Sequence, residues 1–339
     1  GEDLINSWNK ADWWGLSTRL GDKVAPLIGA NEGEIVISDS TTLNLFKALS
    51  AAIKIQAESA PQRKVIIAEK EVFPTDLYII EGYIDLVQQG YELILIEHPD
   101  ELEHTLKSHP TAAVVLSHIN YRSGYLYDME QVNKTIHQYG ALVIWDLCHS
   151  AGAVPINLNQ TNSDFAISCT YKYLNGGPGS PALIWVHAKH QNKFWQPLSG
   201  WWGHQRPFAM ADHYEPAQGI RRFLCGTQSI LSMSLIECGI DIFLKTDMQT
   251  IREKSLHLTD LFMRLVNQEC SEFGFELITP AQHEQRGSHV SYCHEQGYAI
   301  IQALVARGVI GDYREPAVLR FGITPLYLSH EDIWNAIHR

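Results

Sequence analysis

The chain has 339 residues, 45% of them hydrophobic and 19% charged, enough for one large or two medium domains with buried cores. A net charge of −12 argues against a surface for nucleic acid or anionic membrane, and no apolar run approaches the roughly 18 residues of a membrane span. The polar start GEDLINSWNK holds no signal-peptide core. Cys148, Cys169, Cys225, Cys238, Cys270 and Cys293 form no CxxC pair, so no zinc or redox motif is expected, and a reducing, cytoplasmic setting fits best.

Short β-branched runs alternate with helical patterns. EIVIS (34–38) reads as a strand and 42–58 as a helix; KVIIAE (64–69) as a strand and 76–89 as a helix. YELILI (91–96) and TAAVVL (111–116) are strands around a polar helical segment. A helix over 128–139 takes Asp128 as N-cap. ALVIWD (141–146), DFAISC (164–169) and ALIWV (182–186) follow as strands. Fully apolar strands separated by helices predict an α/β fold with a mostly parallel sheet covered on both faces. After about residue 230 a long helical stretch leads into a smaller α+β segment. The expected division is an N-terminal segment (1–30), a large domain (31–230) and a small C-terminal domain (231–339). No internal repeat is present.

In such sheets ligands sit at the carboxyl ends of the strands, and the chemistry-bearing residues cluster there. One apolar run ends in Asp146; another leads to Tyr171 and Lys172, followed by the turn Asn175-Gly176-Gly177-Pro178-Gly179. Pyridoxal 5'-phosphate (PLP) needs such a pair: a lysine to hold its aldehyde as a Schiff base and an anion to keep its ring nitrogen protonated. The ordinary readings are a solvated lysine and an aspartate capping the next turn. Thr41 and Thr42 open a helix, whose free N–H groups and dipole suit a phosphate; a plain Ser/Thr cap explains them as well. Phe73 and Asp76, in VFPTDLY, follow a strand, where a ring can stack on a pyridine face; core packing and an N-cap are the alternatives. Arg320, in AVLRFGITPLY, offers two parallel donors to a carboxylate. His149 alone reads as a hydrogen-bonded structural residue. Trp13 and Trp14 either pack on the domain or line an aryl pocket.

Seven motifs in order, STTLNLF, VFPTDLY, WDLCHSAGA, TYKYLNGGPG, GWWGH, FLCGTQSIL and LRFGITPLY, resemble those of the kynureninases, fold-type I PLP enzymes, and most closely the bacterial type. The match runs over nearly the whole chain. The resemblance implies hydrolysis of L-kynurenine, or of 3-hydroxykynurenine, to anthranilate or 3-hydroxyanthranilate and L-alanine, in tryptophan catabolism and NAD biosynthesis. It implies a cytoplasmic homodimer with the site at the subunit interface. Lys172 is the Schiff-base lysine and general base, Asp146 the partner of the ring nitrogen, and His149 lies beside the ring. Thr41 and Thr42 belong to the phosphate segment, Phe73 stacks on the cofactor, and Asp76 helps fix its ring substituents. Tyr171 touches the phosphate and is a candidate proton donor. Trp201 and Thr227 reach the phosphate from the neighbouring subunit, and Arg320 binds the substrate carboxylate. Kynureninases usually begin further upstream with a YLDGNSLG-like segment and extend further at the C-terminus; both parts are expected to be missing here.

Other readings are less well matched. A desulfurase needs a mobile, exposed cysteine, and the late candidate Cys293 reads as a strand residue. An aminotransferase of the same fold stays open, as does a non-catalytic PLP-fold binder, although Lys172, Asp146 and Arg320 together speak against the binder. No G-x-G-x-x-G follows the first strand, so a nicotinamide dehydrogenase is a poor fit.

Overall fold

The structure, a computed structural model, is described for residues 4–339. Helices α1 (Ser7–Lys10) and α2 (Leu16–Val24) lead into an alternating run: β1 (Ile35–Ile37), α3 (Thr41–Ser59), β2 (Val65–Glu69), α4 (Pro74–Val87), β3 (Glu92–Ile96), α5 (Glu101–Ser108), β4 (Thr111–Ser117), α6 (Met129–Gln138), β5 (Leu142–Asp146), β6 (Phe165–Ser168) and β7 (Leu183–Val186). A short α7 (Ala188–Gln191), then α8 (Ile230–Phe243) and α9 (Met248–Glu269), connect to β8 (Glu276–Leu277), β9 (His289–Cys293), α10 (Gly297–Ala306), β10 (Asp312–Arg314), β11 (Val318–Gly322) and α11 (His330–Ile337).

The seven-stranded sheet has the order β1-β7-β6-β5-β4-β2-β3. Its strands alternate between two apolar layers. Val114, Leu116, Val143 and Trp145 enter one core, and Ala113, Val115 and Ile144 the other, which is why each strand reads as a continuous apolar run. Pairing is parallel from β3 through β6, but β7 runs antiparallel to both β6 and β1. A parallel return needs a crossover, usually a helix, and residues 169–182 contain none. The chain therefore doubles back at the carboxyl end of β6, and Lys172 lies on that reversal.

The expected helix at 76–89 begins two residues earlier, because Pro74 occupies its first turn after the extended Phe73, and it ends at Val87, where Gln88 turns left-handed. Asp128 caps α6, accepting from the Gln131 N–H at 3.0 Å. α8, placed with the small domain on the expected division at residue 231, buries Met233, Ile236, Ile240 and Phe243 in the large core. α9 continues to a separate cluster of Leu258, Phe262, Val290 and Tyr292 beside the antiparallel sheet β10-β11-β9-β8. Trp14 stacks on Trp202 at 4.9 Å and 8°, and Trp13 meets Trp8 edge-on at 5.7 Å; the two tryptophans pack on the domain.

One buried ion pair fixes the loop before α3. Lys47, fully buried, donates to Asp39 Oδ2 at 2.5 Å and to the Phe223 carbonyl at 2.7 Å. Removing one partner of such a pair strands the other charge, at a cost of about 3–5 kcal/mol. Lys47→Ala is expected to lower the urea unfolding midpoint by a corresponding amount, whereas Lys54→Ala, whose ion pair is exposed, is expected to shift it hardly at all.

Candidate active site

The carboxyl edge of the large sheet encloses a cavity of about 490 Å³. Loops and helix starts from four strands meet there. After β1, Ser40 caps α3 by accepting from the Leu43 N–H at 3.3 Å, so Thr41 and Thr42 occupy the first helical turn. After β2, Pro74 starts α4, and the Thr75 hydroxyl lies 3.1 Å from that of Thr42. Two helix N-termini thus border one cavity, a natural place for an anionic group.

Lys172 follows β6 on a stapled loop. The Thr170 hydroxyl lies 2.6 Å from that of Ser180 and donates to the Pro181 carbonyl at 2.6 Å, and the Gly176 N–H donates to the Thr170 carbonyl at 2.8 Å. A Cβ on Gly176 would sit 2.8 Å from Ser180 Oγ and 2.9 Å from the Thr170 carbonyl oxygen, too close to accept. Gly177, at φ +89°, uses a backbone region that side chains disfavour. Lys172 Nζ stands 5.8 Å from the centre of the Phe73 ring.

The electrostatics are unusual. Asp76 has no exposed surface, and neither carboxyl oxygen has a hydrogen-bond partner among the described residues. Burial and the charge of Asp146 push its pKa well above the ordinary carboxylate value, with Lys172 pulling the other way. Asp146 closes β5 and accepts from the Cys148 N–H at 2.7 Å. Burial disfavours the Lys172 ammonium, yet the acidic neighbours Cys148, Cys169 and Asp146 outweigh it, and the pKa lies above its usual value. His149 is held neutral, its pKa far down, by burial and by the cations of Lys172 and Arg320.

Arg320 is committed within the protein to a degree its sequence context does not reveal. On β11, paired opposite Asp312 of β10, it donates from Nε and Nη2 to the two Asp312 oxygens at 3.0 and 2.6 Å, and from Nη1 to the Tyr121 carbonyl at 2.6 Å. His149 Nε2 lies 3.5 Å from Nη1. A guanidinium has five N–H donors; Asp312 takes two, Tyr121 one, and His149 Nε2 faces a fourth, which leaves one on Nη2 uncommitted for a second carboxylate.

Of the residues singled out by sequence, Thr41, Thr42, Phe73, Asp76, Asp146, His149, Tyr171, Lys172 and Arg320 all line this cavity. Trp201 and Thr227 do not. They lie together on an exposed face, with Trp201 Nε1 donating to Thr227 Oγ1 at 3.3 Å. Sequence reasoning passed over Ser40, Thr75, Cys148, Ser180 and Arg314, which also line it. Thr75 stands within the VFPTDLY motif and could have been found there; Arg314 carried no local signal. Cys293 ends β9, paired with Val318 and Glu276, outside the cavity.

The raised Asp76 pKa has a thermodynamic consequence. A carboxyl titrating higher when folded than its unfolded value of about 4 contributes stability that is full below that pH and is lost as pH rises through the folded pKa. Asp76→Asn removes this titration. In the ligand-free protein the variant is expected to gain on the parent as pH rises from 4 to 8, read from unfolding midpoints across that range.

The C-terminal domain model of the kynureninases matches residues 251–339. Among curated proteins, the kynureninase of Pseudomonas fluorescens is 55% identical over 337 residues, covering 99% of this chain and 81% of that protein. That of Burkholderia pseudomallei (strain 1106a) is 56% identical with the same coverage. Among solved structures, the apo cysteine desulfurase of Thermococcus onnurineus NA1 superposes with a TM-score of 0.82 at 18% identity, over 97% of this chain and 83% of that one. The cystine C–S lyase C-DES in complex with cysteine persulfide gives 0.80 at 16%, over 97% and 87%. These two likenesses establish the fold, that of fold-type I PLP enzymes. With more than half of its residues identical to curated kynureninases over nearly its whole length, the chain belongs to the kynureninase family.

Proposed function

We propose that this protein hydrolyses L-kynurenine, and by the same chemistry 3-hydroxykynurenine, to anthranilate or 3-hydroxyanthranilate and L-alanine, with PLP as cofactor. The observation that carries the reading is the meeting of Lys172, Asp146, Asp76 and Arg320 at one cavity in a chain 55% identical to a curated kynureninase.

The donor set suits PLP. Two unpartnered buried carboxyl oxygens on Asp76 and the carboxylate of Asp146 call for donors, which a protonated pyridine and its substituents provide. The first turns of α3 and α4, with Thr41, Thr42 and Thr75, offer N–H and hydroxyl donors to a phosphate. Phe73 presents a ring to a flat ligand. PLP bound there supplies an aldehyde for Lys172 and an electron sink for the carbon next to the substrate carboxylate.

The protein's own groups then have defined tasks. Asp146 keeps a proton on the ring nitrogen by charge. Lys172, once released as a free amine, accepts the Cα proton. Arg320 holds the substrate carboxylate through its remaining Nη2 donor, while Asp312 and Tyr121 fix the guanidinium plane. Tyr171, half-exposed and next to Lys172, donates a proton to the departing three-carbon fragment. His149 packs as a neutral imidazole against Arg320 without adding charge.

Trp201 and Thr227, exposed on a single chain, fit a homodimer in which they reach a neighbouring subunit's phosphate. The six free cysteines fit a reducing cytoplasm.

The test is purified protein incubated with PLP, followed by its visible absorption and by anthranilate fluorescence after addition of L-kynurenine. Lys172→Ala is expected to lower anthranilate release by at least about a hundredfold; turnover retained in that variant overturns the mechanism. Arg320→Lys keeps the charge and loses the fork. At about 1.5–3 kcal/mol for charged hydrogen bonds, kcat/KM is expected to fall roughly ten- to a hundredfold while the PLP absorption persists.

A further inference from the structure

His289 opens β9 at the back of a second cavity, of about 480 Å³, which it shares with Lys172, Tyr171, His149, Arg320 and Thr324. Only 1% of its surface is exposed, and neither ring nitrogen has a hydrogen-bond partner among the described residues. Its neighbours explain why the protein does not satisfy it. On one side the His149 ring stands 5.6 Å away, tilted by 58°. On another lies Gly124, where a Cβ would come within 3.3 Å of Nε2. The Thr324 hydroxyl is likewise buried and unpartnered. Buried polar groups in folded proteins are nearly always paired, so an unpaired imidazole on a cavity wall points to a ligand group.

Burial, with the cations of Arg320 and Lys172 nearby, pushes the His289 pKa down to about 3, so the ring is neutral. It therefore offers one N–H donor and one nitrogen acceptor. This inference rests on the kynurenine reading above and extends it. The amino-acid end of that substrate is claimed by Arg320 and Lys172. Its other end is an aryl ketone, whose oxygen is an acceptor that the single N–H of a neutral imidazole can meet. We propose that His289 is a specificity-determining residue that binds the aryl ketone end of the substrate, donating its ring N–H to the ketone oxygen.

A site built to hydrogen-bond a ligand group discriminates strongly when that bond is lost. The experiment uses the PLP-loaded enzyme with His289→Phe, which keeps a ring, and His289→Gln, which keeps a donor and an acceptor. KM for L-kynurenine is compared with the dissociation constant of L-alanine, read from the change in PLP absorption; L-alanine shares the amino-acid end and lacks the ketone. H289F is expected to raise KM for L-kynurenine about tenfold or more and to leave L-alanine binding unchanged, with H289Q restoring most of the loss. Should H289F not fold, H289L serves as the apolar variant. A KM like that of the parent, or a loss shared equally by L-alanine, overturns the inference; the shared loss assigns His289 to the support of Arg320. A parent enzyme that binds L-alanine yet releases no anthranilate overturns the kynurenine reading itself, and this inference with it.

Discussion

Two carboxyl groups and one amine are held largely out of water at the same edge of the sheet, and the field among them governs what each can do. Asp146 ends its strand already accepting one backbone hydrogen bond. Asp76 accepts none among the described residues and is pushed toward its neutral form by burial and by Asp146. Lys172 stays an ammonium because its surroundings are acidic. Two like charges in a dry site cannot both be comfortable. The arrangement is relieved when a group that brings its own proton donor and takes up the amine enters, and the proposed cofactor has both properties. On the proposed reading, the affinity for the cofactor is thus an expression of that electrostatic arrangement.

The backbone imposes that meeting. Parallel strands β2, β4, β5 and β6 all point their carboxyl ends the same way, so the residues that follow them converge without any individual design. The exception sharpens the point. Because no helix covers the return from β6, β7 runs backwards, and the loop that carries Lys172 must reverse within the site. Its shape is held by Thr170, Ser180 and a glycine whose side chain would collide, so the amine is placed by covalent geometry and short hydrogen bonds. Lys47 does the corresponding work on the other side, fixing Asp39 and thus the start of α3.

What the sequence made legible follows from locality. Asp146 and Lys172 were readable because each directly follows an apolar run, and Thr41 and Thr42 because a strand hands over to a helix there. The seven ordered motifs supplied roles that spacing alone left open, such as those of His149 and Asp76. The reversal at β7 was not legible, since an apolar strand carries no mark of its direction. Nor was the neutral His289, which depends on β9 packing against a loop more than 160 positions earlier. The start of α4 differs from the expected residue 76 because Pro74 opens the helix two residues earlier.

Arg320 meets the substrate end of the cavity already paired. Its guanidinium is not a bare cation awaiting an anion: Asp312 neutralises it from the adjacent strand, and Tyr121 binds it from the loop after β4. The long-range pull on an anionic ligand is therefore small, and the chain's overall charge of −12 opposes such a ligand further. What Arg320 retains is direction, an uncommitted Nη2 donor in a fixed plane. Such a group suits a zwitterionic amino acid, which arrives with no net charge and needs orientation more than attraction, and it disfavours amino acids with a second carboxylate. On the proposed reading, selectivity at this end of the cavity comes from a cation already paired by the protein, and the remaining choice among neutral amino acids falls to the wall where His289 lies.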